Sequence, residues 1–237
     1  MLRFLGIILA GMLALTSPAK ADLTDIDQDA LDTLFKAYIE ANPEVLRNAL
    51  MGLAKREAEA AQNAAFSMLY MDDGDPVLGN PDGDIVVYEF TDYNCGYCKR
   101  VYEPIQQVLA EDGNIRFVVK EFPILSQSSL LAAQAGVAAA AQGVFEAYHR
   151  NMMTSVVGVS MDSILAAAED AGADMERLQL DMNSDAVNAI IARTRQAASR
   201  LEINGTPGLV IGKTVVPGAI SAEELKSIIA SERAERG

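Results

Sequence analysis

The feature that most constrains this chain is a short β-forming run that gives way, within five residues, to a pair of cysteines and then to a helical stripe. Residues 85–90 read IVVYEF, a β-branched and aromatic run of strand character. Cys95 and Cys98 follow as a Cys-Gly-Tyr-Cys motif, and they are the only cysteines in the chain. Val101, Tyr102, Ile105, Val108 and Leu109 then recur at helical spacing, with Pro104 inside the stripe and Asp112-Gly113 ending it. Residues 115–122, IRFVVKEF, form the next strand run. Strand, helix and strand make a βαβ unit, so the cysteines fall where a strand hands over to a helix.

That position has chemical consequences. Unpaired N–H groups of a first helical turn, together with the helix dipole, favour a thiolate at Cys95. Cys98 lies one turn further in, placed to attack a mixed disulfide on Cys95 and release the bound protein. Other uses of the pair have less support. A closed zinc site takes four ligands, and only His149 stands beside the two cysteines. A c-type haem needs histidine directly after the second cysteine; Lys99 is there. A purely structural bridge would close a tiny loop and stabilise little. Two soft thiolates also suit Cu(I), so a copper(I)-binding protein remains an alternative.

The rest of the chain divides around this unit. Residues 22–75 read as a helical arm. Leu31, Leu34, Phe35, Tyr38 and Ile39 form one apolar stripe, and Val45, Leu46, Ala49, Leu50 and Leu53 a second. Asn42 is the expected N-cap of the second helix and Pro43 its first residue. Residues 71–84 are rich in Asp, Gly and Pro and read as a linker, which starts the second domain, 76–237, near residue 76. From 126 to about 201 every segment has helical character. Leu209-Val210-Ile211, a Gly212-Lys213 turn and Thr214-Val215-Val216 then read as a hairpin. Ser221 and Glu224 form a capping box for a last helix. The class is α/β: βαβ, a helical insertion, then ββα. His149 reads as a structural or surface residue, and Met152, Met153 and Met161 as core or groove-lining residues.

Two readings concern place and partners. Arg3, the apolar residues 4–15 and Ala19-Lys20-Ala21 have the pattern of an export signal, residues 1–21, cleaved before Asp22. The apolar run is short of the about 20 residues that span a bilayer. The expected location is the periplasm. A formal net charge of −14 repels nucleic acid and anionic lipid, which are set aside as partners.

A second motif makes the pattern specific. Gly205-Thr206-Pro207-Gly208 stands just before the hairpin. With Phe90, Cys95-Gly96-Tyr97-Cys98-Lys99 and this distant Gly-Thr-Pro, residues 76–237 resemble the DsbA-like branch of the thioredoxin superfamily. The resemblance implies a thioredoxin fold with a helical insertion, Cys95 as attacking and Cys98 as resolving cysteine. It implies a cis-proline at Pro207, with the backbone of Thr206 pairing to an extended substrate, and a buried acid at Glu89 that assists proton transfer. No cofactor is implied beyond the redox-active Cys95–Cys98 disulfide, and no metal. The partners would be exported cysteine-containing proteins and a membrane redox protein, either a quinone-linked oxidase or a thiol reductase.

The departures from the pattern point in a direction. Gly96-Tyr97 stand where the prototype oxidase has Pro-His, which implies a less oxidising couple than its roughly −120 mV. Thr206 stands where that oxidase has Val and where disulfide isomerases carry Thr. The arm, with Asn42-Pro43-Glu44-Val45-Leu46, resembles that of ScsC-like members and implies a homodimer or homotrimer. The expected activity is disulfide formation or isomerisation, with reduction as the alternative direction.

Overall fold

A computed structural model of the protein describes residues 27–236. The expected export signal and its cleavage site lie outside the described residues. The chain divides into two compact units, Met1–Arg56 and Glu57–Gly237.

The first unit holds α1, Gln28–Ala41, and the start of α2, Pro43–Leu69. Asp27 caps α1 through the amide of Asp29. Pro43 begins α2 as expected, but Asn42 does not cap it with its side chain. Its Nδ2 donates back to the Tyr38 carbonyl 2.8 Å away, so Asn42 closes the end of α1, where unpaired carbonyls outnumber donors. Helix α1 buries none of its residues, and Leu34, Phe35 and Tyr38 are exposed.

The second unit is built on a five-stranded sheet of order β1-β3-β2-β4-β5. These strands are β1 (Val77–Gly79), β2 (Ile85–Thr91), β3 (Ile115–Glu121), β4 (Gly208–Ile211) and β5 (Thr214–Pro217). β2 and β3 pair in parallel and are bridged by α3, Gly96–Glu111; β4 runs antiparallel to β2 and forms the hairpin with β5. Helices α4 (Gln127–Ala141), α5 (Phe145–Thr154), α6 (Met161–Asp170), α7 (Met175–Met182) and α8 (Asp185–Arg200) lie in sequence between β3 and β4, and α9 (Ala222–Arg236) follows the hairpin. This is βαβ and ββα with a helical block between them.

Strand alternation sorts the core into two faces. Ile85, Val87, Ile115, Phe117 and Val119 join Cys95, Cys98 and the apolar side of α3 in one cluster. Tyr88, Phe90, Val118 and Phe122 join a second cluster with Phe66 and Leu69 of α2. The last turns of α2 therefore belong to the core of the second unit. Each such buried side chain is worth about 1.5–3 kcal/mol.

Residues 71–84, read as a linker, carry β1 and a set of ion pairs. Arg116 grips both carboxylate oxygens of Asp72, at 2.6 and 3.1 Å. Lys120 Nζ lies 2.6 Å from Asp75 Oδ2 with both side chains wholly buried, and Arg193 NH2 joins at 3.2 Å. Two acids that look like solvated linker residues, Asp72 and Asp75, are thus paired with cations from β3 and α8, which straps the segment to the sheet.

Candidate active site

Cys95 is the N-cap residue of α3. Its Sγ accepts from the Cys98 backbone N–H at 3.3 Å and lies 3.2 Å from the carbonyl oxygen of Thr206. The Thr206–Pro207 peptide bond is cis. Both cysteines are free thiols, with 6 % of Cys95 and 1 % of Cys98 exposed. The more accessible sulfur is thus the one at the helix start and beside the proline loop. Cys95, Cys98, Thr206 and Pro207 form one site from two distant parts of the sequence.

Glu89 completes the group from below. It shares its side of β2 with Val87, on the face that packs against α3, and is buried. Burial pushes its carboxyl up to about 8, with Thr91 pulling the other way. The Cys98 thiol is driven up by burial first and by the charge of Glu89 second. Thr91 Oγ1 has no hydrogen-bond partner of good geometry, yet it stands close enough to both groups to lower each. A buried thiol beside a buried acid of near-neutral pKa is suited to passing a proton between them.

Apart from His149, the loop that carries Cys95 is held by residues to which the sequence assigned no role. Asp92 accepts from the amides of Asn94, Ile124 and Leu125, at 2.8, 2.9 and 3.0 Å. Asn94 Nδ2 reaches the hydroxyls of Ser126, Ser128 and Ser129 at 2.9–3.0 Å. Tyr93 OH donates to Glu121 Oε1 at 2.7 Å and lies 3.1 Å from His149 Nδ1. His149 is therefore structural, as expected; burial holds its imidazole down at about 3, so it stays neutral. Tyr93 OH thus sits between Glu121 Oε1 and His149 Nδ1. Burial drives Glu121 up as well, and its Oε2 has no partner. Gly136 in α4 makes this possible, since a Cβ there would stand 2.6 Å from Glu121 Oε1 and 3.1 Å from Tyr93 OH. Lys99 Nζ donates to the Ser155 carbonyl at 2.8 Å, tying the first turn of α3 to the loop after α5.

No group of three or more metal-ligating side chains occurs among the described residues. A cavity of about 640 Å³ lies between residues 74–77 and helices α4, α5, α7 and α8, and neither cysteine lines it. Thr206 and Pro207 line a different, smaller groove.

Comparison with known proteins agrees with this arrangement. A family model described as thioredoxin matches residues 71–231. A thioredoxin-like oxidoreductase from Silicibacter pomeroyi DSS-3 is 39% identical with a TM-score of 0.68, over 72% of this chain and 97% of that one. The catalytic domain of ScsC from Proteus mirabilis is 27% identical with a TM-score of 0.66, over 74% and 98%. The thiol-disulfide exchange protein alpha-DsbA2 from Wolbachia pipientis is 25% identical with a TM-score of 0.64, over 73% and 97%. A Na(+)/H(+) antiporter, NhaA 3 of Salinispora tropica, is 25% identical over 161 residues, which are 67% of this chain and 25% of that protein. The chain spans about a quarter of the length of the curated relatives it matches.

Proposed function

The chain belongs to the thioredoxin family, and on that premise we propose that it is a periplasmic protein thiol–disulfide oxidoreductase that forms or isomerises disulfides in exported proteins. The observation that carries the reading is the placement of Cys95 Sγ between the first-turn amide of α3 and the carbonyl of Thr206. A client thiolate attacks Cys95 of the oxidised pair. Cys98 leaves as a thiolate and takes a proton, for which Glu89 is the adjacent donor. A second client thiolate then attacks the client sulfur of the mixed disulfide and frees Cys95. The client loses two electrons and gains a disulfide; the Cys95–Cys98 pair gains both and becomes a dithiol. Isomerisation starts instead from the reduced pair: the Cys95 thiolate attacks a wrong client disulfide and expels one client thiolate, another client thiolate then attacks the client sulfur of the mixed disulfide, and the pair ends as the dithiol while the client exchanges one disulfide for another.

Thr206 leaves its backbone carbonyl at the site edge, where an extended segment can pair with it as an added strand. The family relation of the neighbours, two of them named for thiol-disulfide exchange or as oxidoreductases, supports the reaction class. A membrane redox protein would recharge the pair. Ion transport, named for the curated relatives, is no part of this proposal: the match covers a quarter of their length, and no helix among the described residues is long and apolar enough to cross a membrane.

The isomerase direction goes with self-association. Leu34, Phe35 and Tyr38 of α1 and Leu46, Leu50 and Met51 of α2 are exposed, and an oligomer of two or three chains buries such stripes. Light scattering of the full-length protein, combined with refolding of a scrambled disulfide substrate, tests this. A dimer or trimer that restores activity to the substrate supports isomerisation. A monomer that only oxidises thiols leaves disulfide formation as the function.

A further inference from the structure

Helix α8 ends in a way that costs stability. Leu201 is its C-cap. Ile203 N–H donates to the Ala198 carbonyl at 2.8 Å and Glu202 N–H to that of Ser199 at 3.3 Å. This is the Schellman termination, in which the residue after the cap takes a left-handed conformation and is usually glycine. Here it is Glu202, with φ of 57°, the one left-handed residue other than glycine among the described residues. A side chain at that position crowds its own backbone, and glycine does not bear that cost.

The position opens onto the reaction site. Glu202 lines a groove of about 400 Å³ that also includes Thr206 and Pro207. Leu201, Ile203, Val215 and Pro217 give the groove apolar walls, and Glu202 supplies its only charge. No ion pair among the described residues includes Glu202, and Asn204 Nδ2 donates to its backbone carbonyl rather than its carboxylate. An apolar channel with one free carboxylate complements a side chain that has an apolar stem and a cationic head.

We propose that Glu202 and this groove form a subsite for a lysine or arginine side chain of the client, within two residues of the client's reacting cysteine. The inference rests on the reading of Cys95 as the attacking group. Thr206 both lines the groove and holds Cys95. An extended chain advances about 3.3 Å per residue, so side chains about two residues from the client cysteine reach the groove. The subsite would favour clients with basic residues near their cysteines. Residues conserving the fold would not need a glutamate there.

The test uses the reduced full-length protein and short peptides whose single cysteine is carried as a mixed disulfide with thionitrobenzoate. Cys95 thiolate attacks the peptide sulfur and expels the coloured thionitrobenzoate anion; Cys98 then attacks Cys95, forming the intramolecular disulfide and releasing the peptide thiol. Arg is compared with Gln at each of the two positions on either side of the cysteine. The expected result is a rate three- to fivefold or so higher for Arg at one or more of these positions, the size of a partly exposed ion pair. The preference should fade at high salt and disappear in Glu202→Gln. Glu202→Gly should lose the preference too, while its Tm stays level or rises. An equal preference in Glu202→Gln, or none in the unaltered protein while the Gln peptides react, overturns the inference. A fall in Tm for Glu202→Gly does so as well, because Glu202 would then serve the fold. If no peptide reacts, the thiol–disulfide reading itself fails, and this subsite falls with it.

Discussion

Cys95 Sγ lies 3.2 Å from the carbonyl oxygen of Thr206, a residue 111 positions further along the chain. The contact places the sulfur of Cys95 against the backbone of the cis-proline loop. The N-cap position of Cys95 supplies the second constraint, through the amide of Cys98. The start of α3 and the proline loop thus meet at the Cys95 sulfur.

Glu89 gives the account a pH signature. Its carboxyl titrates near 8 in the folded chain, against about 4.3 when unfolded. Between those values the folded state holds a proton that the unfolded state has released, so stability falls as pH rises through the window and levels above about 8. Glu89→Gln should remove that slope and be more stable at pH 8 by on the order of a few kcal/mol. It should also slow resolution by Cys98 by on the order of a hundredfold. Urea titrations at several pH values and single-turnover release of a trapped peptide check both.

Asp75 should matter more than a strap residue on the surface would. Its partner Lys120 is wholly buried, and a buried cation stripped of its carboxylate is costly. Asp75→Ala should lose about 3–5 kcal/mol in chemical denaturation. Arg193, which is only partly buried and shares the same oxygen, should cost less when replaced by Ala. Equal and small losses for the two variants would show that water reaches the pair.

Gly136→Ala sets two effects against each other. Alanine is better in a helix than glycine by about 1 kcal/mol. The added methyl, however, would meet Glu121 Oε1 at 2.6 Å and Tyr93 OH at 3.1 Å in a closed interior, and overpacking costs about 1–3 kcal/mol. The expected outcome is a lower Tm and a loosened active-site loop, seen as faster amide exchange at 92–95. A higher Tm would show that the Tyr93–Glu121 pair yields easily.

Much of the fold was legible because its signals are local. β-Branched and aromatic runs marked β2, β3 and the hairpin, helical spacing marked α3, and the capping box of Ser221 and Glu224 forms as read, with Ser221 Oγ accepting from the Glu224 amide at 3.2 Å. β1 was missed because it is three residues long inside an Asp- and Gly-rich stretch, and it exists through pairing with β3. Asp75 was misread for a similar reason: Lys120 and Arg193 lie 45 and 118 positions away. The cysteines and the Gly-Thr-Pro motif announced the site by residue type. Tyr93 and Glu121 announced nothing, and His149 drew notice only as a lone histidine, since the chain they form exists only once the fold brings them together. Alternation alone left the side of Glu89 open; the packing of α3 on the Val87 face decides it.

The central claim is that Cys95 attacks and Cys98 resolves. Mass spectrometry of two full-length variants, Cys98→Ala and Cys95→Ala, each incubated with a disulfide-linked peptide, tests it most directly. The account predicts a stable one-to-one peptide adduct on Cys95 of the Cys98→Ala variant and little or none on the Cys95→Ala variant. An adduct on Cys98 of the Cys95→Ala variant, with the Cys98→Ala variant left unmodified, would contradict it.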